Sequence, residues 1–534
     1  MEAETKNKSR RIKWIAGTLI GITVIFLGFI ILINSVVEPF LKDRLIAEFG
    51  IISKQDATLE IPDLDIGLFP PSVVIDGLFL TPGLGVSDRL KDHPVLESKI
   101  ESISAKGVSL WGLLTDGNLS VRETLISGAE IHFSSGLLDR LSGNGRSSGD
   151  SSRSVVLNSL TLAGASLTMY QEDLSSVKSH ITLADLNVTD LNLSTGDIRM
   201  ADRFEQFSFG IDSIRHTTED RLYRFEMDRI LFSSELGSLT TEGFNLKPQL
   251  PAREMPKQIG HEIDHIEIET GSIDLKNLDI HAWLTNGAIK AKSITVESPR
   301  VKISRDKNPP DKPVNIRPLL NTQFAHLPML VSLDTLTVRN GFVSYREWRE
   351  EQDTSGTLFF DSVEMVMTGL QNSEPDQTVH AEVSSLFMNA SKLSVQFEFT
   401  LNDDGAQTIT GQMEGLDLLK LNPVLVPLAF VRIDRGVIHS VAFKFDLNET
   451  VASGEFMCLY DDFSMSLLSK RSLESSLGNR IVSFLANNLQ VQSSNHEADP
   501  RTGEIYFEKE EGQSMVNYWW KSLRSGIKDL MQRM

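Results

Sequence analysis

Leu336-Thr337-Val338-Arg339-Asn340-Gly341-Phe342-Val343-Ser344-Tyr345 alternates apolar and polar side chains around a central Asn-Gly pair. Alternation at period two belongs to a strand with one face in water and one face out of it. The two halves, however, have opposite parity. Leu336 and Val338 are even-numbered, Val343 and Tyr345 are odd. An unbroken strand would aim them at opposite faces. One extra residue, taken up as a bulge at the small residue, returns both halves to one face and bends the strand. A tight hairpin at Arg339-Asn340-Gly341 is the alternative.

The same spacing recurs: apolar at x and x+2, small or proline at x+5, apolar at x+7 and x+9. It fits Leu160, Leu162, Ala165, Leu167 and Met169. It fits Ile266, Ile268, Gly271, Ile273 and Leu275, with a candidate hairpin at Glu269-Thr270-Gly271. It fits Ile294, Val296, Pro299, Val301 and Ile303. A weaker copy is Thr124, Ile126, Ala129, Ile131 and Phe133. The copies are unevenly separated and match no fixed-period solenoid. Periodicity alone leaves two products open, a curved open sheet or a set of β-sandwich domains.

The chain has 534 residues, and its net charge of −20 disfavours nucleic acid, which needs a basic partner surface. The single cysteine, Cys458, excludes an intrachain disulfide and any cysteine-rich zinc module. Trp14–Val37 carries no charge over 24 residues, enough to cross a bilayer as a helix. Five lysines and arginines against two glutamates precede it, so the N-terminus is expected in the cytoplasm and the rest beyond the membrane. The run is too long for an ordinary signal peptide. The paucity of cysteine suits a bacterial periplasm.

The expected organisation is a basic tail (1–13), a transmembrane helix (14–37) and a juxtamembrane helix (38–50) ending at Gly50. A first β section (51–141), a Ser/Gly linker (142–154) and a middle β-repeat section (155–307) follow. A Pro-rich connection with a short helix (308–330), a second β section (331–512) and a C-terminal amphipathic helix (513–534) complete it. Another short helix is expected after Gly415. In the last segment Trp519, Trp520, Lys521 and Arg524 read as a membrane-interfacial set. The same helix also reads as a plug that closes the end of the sheet and protects its last edge, and the two readings are not exclusive.

His261-Glu262-Ile263-Asp264-His265 matches the H-E-x-x-H zinc motif. That motif needs a helix. Here Ile263, Ile266 and Ile268 lead into a strand, where residues four apart sit about 13 Å from each other. The expected reading is structural. No other catalytic constellation is present, so an enzyme is not expected and neither is a cofactor.

Several stretches give the pattern a name. Leu64-Asp65-Ile66-Gly67-Leu68-Phe69-Pro70-Pro71, Ile75-Asp76-Gly77-Leu78, Ile103–Ile131 with Ser109-Leu110-Trp111-Gly112-Leu113-Leu114, and Leu418-Leu419-Lys420-Leu421-Asn422-Pro423 stand in that order. In pattern and order the chain resembles the AsmA-like proteins of Gram-negative envelopes, relatives of TamB. The resemblance implies a mainly β fold: an N-terminal transmembrane helix, then an elongated, strongly curved antiparallel sheet, the repeating β-groove. It also implies carriage of phospholipid or other acyl lipid between inner and outer membrane, with an outer-membrane protein as a further partner. The lining residues would be the repeat positions Leu160, Leu162, Leu167, Ile266, Ile268, Ile273, Ile294, Val296, Val301, Leu336, Val338 and Val343. A scaffold for outer-membrane protein assembly, with filled cores, is the alternative.

Overall fold

The computed structural model describes residues 38–52, 57–82, 97–109, 119–134, 155–171, 176–193, 200–310, 318–349, 354–373, 376–468 and 492–532. The expected transmembrane helix and the Ser/Gly linker lie outside them. Among the described residues no helix is long and apolar enough to cross a membrane. The chain is mainly β and divides into two compact units, Met1–Asp212 and Ser213–Met534, within strand β8 (Gln206–Thr217).

The first unit opens with α1 (Glu38–Ile52), which continues past Gly50 for another two residues. It lies against β1 (Ala57–Glu60) and β2 (Asp63–Leu68). Glu38 Oε1 accepts the Ile66 N–H at 3.0 Å, and Lys42 Nζ donates to the Pro62 carbonyl at 2.9 Å. Both strands pair antiparallel with β3 (Pro71–Pro82), which pairs with β4 (Ser98–Val108), and β4 with β5 (Leu119–Ser134). The next pairing departs from the expected antiparallel sheet: β5 runs parallel to β6 (Val155–Tyr170). β6 and β7 (Val177–Asn192) are antiparallel again.

The second unit repeats that device. β9 (Tyr223–Ser233) and β10 (Ser238–Pro248) form an antiparallel pair. After α2 (Met255–Ile259) come β11 (Asp264–Glu269) and β12 (Ser272–Lys276), both antiparallel to β10 in one register. The pairs Leu246↔Ile268 and Thr241↔Ile273 belong to a single line of residues, so the turn at Thr270-Gly271 is no hairpin. α3 (Ile280–Asn286) reverses the chain. β13 (Ile289–Glu297) and β14 (Arg300–Asp306) run back beside β12 and β11 respectively. The connection through α4 (Leu320–Ala325) then delivers β15 (Val331–Trp348) parallel to both β13 and β14. The sheet is therefore mixed rather than antiparallel. A parallel junction needs a long crossover, and both junctions follow the long interruptions at 135–154 and 307–330.

From β15 onward the pairing is antiparallel, through β16 (Ser355–Gln371), β17 (Gln377–Phe387), β18 (Ser391–Leu401) and β19 (Gln407–Met413). A two-residue β20 (Leu416–Asp417), a 3-10 turn at Leu418–Leu421 and α5 (Asn422–Ala429) precede β21 (Val431–Leu447). β21 pairs with β19 and β20, then β22 (Val451–Leu467) and β23 (Thr502–Glu508) close the order. The last element is α6 (Met515–Gln532).

In four of the five copies the bulge sits one position earlier than the small residue. Gly128, Gly164, Ser298 and Asn340 have φ of 62°, 63°, 50° and 52°. Each immediately precedes the x+5 position. Proline, as at 299, cannot take a positive φ, and alanine resists it, so the preceding residue takes the left-handed conformation. Asparagine tolerates that region better than most residues, which explains Asn340.

Candidate functional site

The repeat positions meet one another across the second unit. Ile273 opposes Val296, and Val296 opposes Val338. Leu275, Ile294 and Leu336 make the adjacent row. Beyond the bulge, Ile268 opposes Val301, Val301 opposes Val343, and Ile266, Ile303 and Tyr345 follow alongside. Four apolar rows thus cross the strands, two on each side of the bulge line.

A regular strand shows that all four share a face. On β16, Met365 pairs with Val338 and Phe360 with Val343, five residues apart. On β17 their partners are Val383 and Phe387, four residues apart. β17 runs against β18 without any register shift, so Val383 and Phe387 point the same way. The extra residue on β16 is absorbed at Ser362, whose φ is 49°. Opposite-parity repeat halves therefore present a single apolar face.

In the first unit Thr124 and Ile126 lie beside Leu160 and Leu162, and Ile131 and Phe133 beside Leu167 and Met169. The offset is constant, 155 − 119 = 36 residues at one end and 170 − 134 = 36 at the other, so both strands bulge in step. The rows extend to Val188, Leu186 and Ile181 on β7 and to Ile103 on β4.

All twelve repeat positions expected to line a groove are half-buried, and none is fully buried. Further along the same face the picture changes. The row of Leu336 continues through Met367, Ala381, Phe397 and Ile409 to Phe445, where Ile409 is 3% and Phe445 1% exposed. There the face is filled. Ile433, Ile438, Val441, Phe456, Ile505, Tyr518 and Leu530 form one packed cluster, against which Phe397, Phe443, Leu523 and Ile527 rest. Both clusters of buried side chains found among the described residues belong to this end of the second unit.

α6 fills it. Tyr518 and Ser522 are fully buried, and a Cβ on Gly503 would stand 2.0 Å from the Gly526 carbonyl oxygen, so strand and helix touch backbone to backbone. The helix also satisfies the open edge of β23. Asp529 Oδ2 accepts the Glu504 N–H at 2.7 Å, and Ser525 Oγ accepts the Tyr506 N–H at 3.1 Å. Trp519 packs on Phe397 with ring centroids 5.1 Å apart and donates Nε1–H to Gln407 Oε1 at 3.0 Å. Lys521 pairs with Glu510 and lies over the Phe507 ring. Arg524 is half-buried, and of the four residues read as interfacial only Trp520 is exposed. The helix is thus seated as a plug.

Glu449 pins α4 to the same end. Burial alone would push its carboxyl up. The Lys509 ammonium, the Leu319 N–H at 2.6 Å and the Thr322 hydroxyl at 2.9 Å outweigh that and hold it below the usual range. Cys458 lies inside the cluster, and burial pushes its thiol up to about 12.

Sequence reasoning missed a charged ladder that continues the apolar face. Asp264, Arg305 and Glu347 each lie two residues beyond Ile266, Ile303 and Tyr345 on the same strands, and they pair across the sheet. Arg305 Nε and Nη2 bind both oxygens of Asp264, each at 2.6 Å. One step further Lys307 Nζ meets Glu262 Oε2 at 2.6 Å. Tyr345 donates its hydroxyl to Glu347 Oε2 at 2.7 Å, and burial followed by the Glu347 charge pushes its ionisation upward, so it stays a neutral donor. Arg349 Nε lies 3.4 Å from Glu347 Oε1. The signal was available, because the parity of the repeat runs on into these residues.

The H-E-x-x-H segment is a loop entering β11. His261 Nδ1 lies 2.9 Å from the Glu262 carbonyl oxygen and His265 Nε2 3.0 Å from that of Leu250, while Glu262 belongs to Lys307. Its three side chains do not converge on one point. Asp63, Asp65 and Asp76 form an exposed acidic group on β2 and β3. No family model and no curated protein matches the chain.

Proposed function

We propose that this chain binds acyl chains along the apolar face of its repeat rows and carries lipid between membranes, in the manner of the AsmA-like groove proteins it resembles. In this reading Trp14–Val37 anchors it in the inner membrane, the bulk stands in the periplasm, and no residue performs catalysis. The observation that carries it is a contrast along one face: apolar side chains of continuous rows stay partly exposed from β11 to β16, then become filled by α6 and its neighbours. The apolar area left exposed costs about 25 cal/mol per Å², which an alkyl chain laid along the rows would recover. A continuous strip lets such a chain slide without a step in energy.

Mass spectrometry of the detergent-free protein tests the reading. Co-purifying phospholipid, lost in Leu336→Glu while the fold survives, is the expected result. A lipid-free protein that takes up none on exposure to vesicles contradicts it. The filled cluster around Phe445 favours a second role for that end alone, a rigid scaffold on which an outer-membrane partner could assemble.

A further inference from the structure

We infer that the charged ladder at the margin of the apolar face is a headgroup site for a zwitterionic phospholipid. The inference rests on the acyl-chain reading and names which lipid that face prefers. Arg305 and Lys307 stand two residues apart on one strand line, on the face that carries Val301 and Ile303. A guanidinium has five N–H donors, and Arg305 spends two of them, both on Asp264. Lys307 is ion-paired with Glu262, Nζ to Oε2 at 2.6 Å. Their side chains are 25% and 30% exposed, so neither cation is sealed from solvent. Two cations with spare donors at the end of an alkyl-binding strip fit a phosphate whose ester carries acyl chains.

Charge balance narrows the class. Glu262, Asp264 and Glu347 offset Lys307, Arg305 and Arg349, so the ladder as a whole is neutral. A purely anionic headgroup would bring its charge against three carboxylates. A headgroup with both phosphate and ammonium places each beside an opposite charge, the phosphate on Arg305 and Lys307, the ammonium on Glu262 or Asp264.

The test uses the full-length protein exposed to vesicles holding equal parts phosphatidylethanolamine, phosphatidylglycerol and diacylglycerol, with bound lipid counted by mass spectrometry. The wild type should retain phosphatidylethanolamine over diacylglycerol by about tenfold, the scale of one charge-assisted contact. The Arg305→Gln/Lys307→Gln variant should lose that ratio by retaining less phosphatidylethanolamine, with diacylglycerol retained as the internal reference for an intact apolar face. An unchanged ratio in the double variant overturns the headgroup site alone, as does a preference for phosphatidylglycerol in the wild type. Absence of all three lipids overturns the acyl-chain reading beneath it.

Discussion

The stretch β11–β16 and the stretch β18–β23 are built from the same rows of residues, yet one leaves its apolar face half in water and the other fills it. Ile294, Leu336 and Met367 lie on the same cross-strand line as Ile409 and Phe445. What separates them is a cover. Beyond β17 the line passes under α6, whose Tyr518, Trp519, Leu523, Ile527 and Leu530 complete a three-dimensional core. The lesson is that alternation specifies a face but not its occupant. A helix from the same chain can supply that occupant, or a ligand can.

Substitutions should break the two stretches differently, and the largest effect falls on the filled one. Phe445→Ala should destabilise the C-terminal cluster by about 3–5 kcal/mol, the cost of an emptied aromatic site, whereas Leu336→Ala should cost about 1–2 kcal/mol because its side chain is already half wet. Chemical denaturation of the two variants checks this. Equal losses would erase the distinction.

Gly503→Val comes next. Its side chain would collide with the Gly526 backbone, so α6 should lift and expose the β23 edge, read as new hydrogen exchange at Glu504 and Tyr506. Amides of β11–β16 should exchange as before.

Much of this was legible in the residues. The opposite parity of Val338 and Val343 left a bulge or a tight hairpin, and the backbone makes the bulge, with Asn340 left-handed. The amphipathic spacing from Trp519 to Leu530 marked a helix, and α6 covers it. Two things were out of reach. The parallel junctions, where residue 119 meets 155 and residue 289 meets 331, depend on where a long crossover lands, which no local pattern encodes. Whether α6 would face a lipid or β23 was equally undetermined, because the same Trp519, Lys521 and Arg524 suit both. Arg305 and Asp264 share the parity of Ile303 and Ile266, but charges at strand ends resemble loop residues until register shows them on the apolar face.

A pH titration sharpens the comparison further. The folded Glu449 carboxyl is held below its unfolded value, so its contribution is fully present above the ordinary glutamate range and is lost as pH falls through the depressed folded value. Acid should therefore loosen the α4 attachment and the C-terminal cluster first, and Glu449→Gln should flatten that dependence. The smallest effect concerns Cys458. With its thiol pushed up to about 12 and buried in the cluster, it should resist alkylation at neutral pH in the native protein, then react at that same pH across the denaturant range that opens the cluster.

The most direct measurement is photolabelling of the full-length protein by a phospholipid with a diazirine in its acyl chain, followed by peptide mapping. Label should fall on the segments 264–276, 289–303 and 336–345 and spare 441–458. Label confined to the C-terminal cluster, or none on any segment after lipid exposure, would contradict an apolar face held open for a guest.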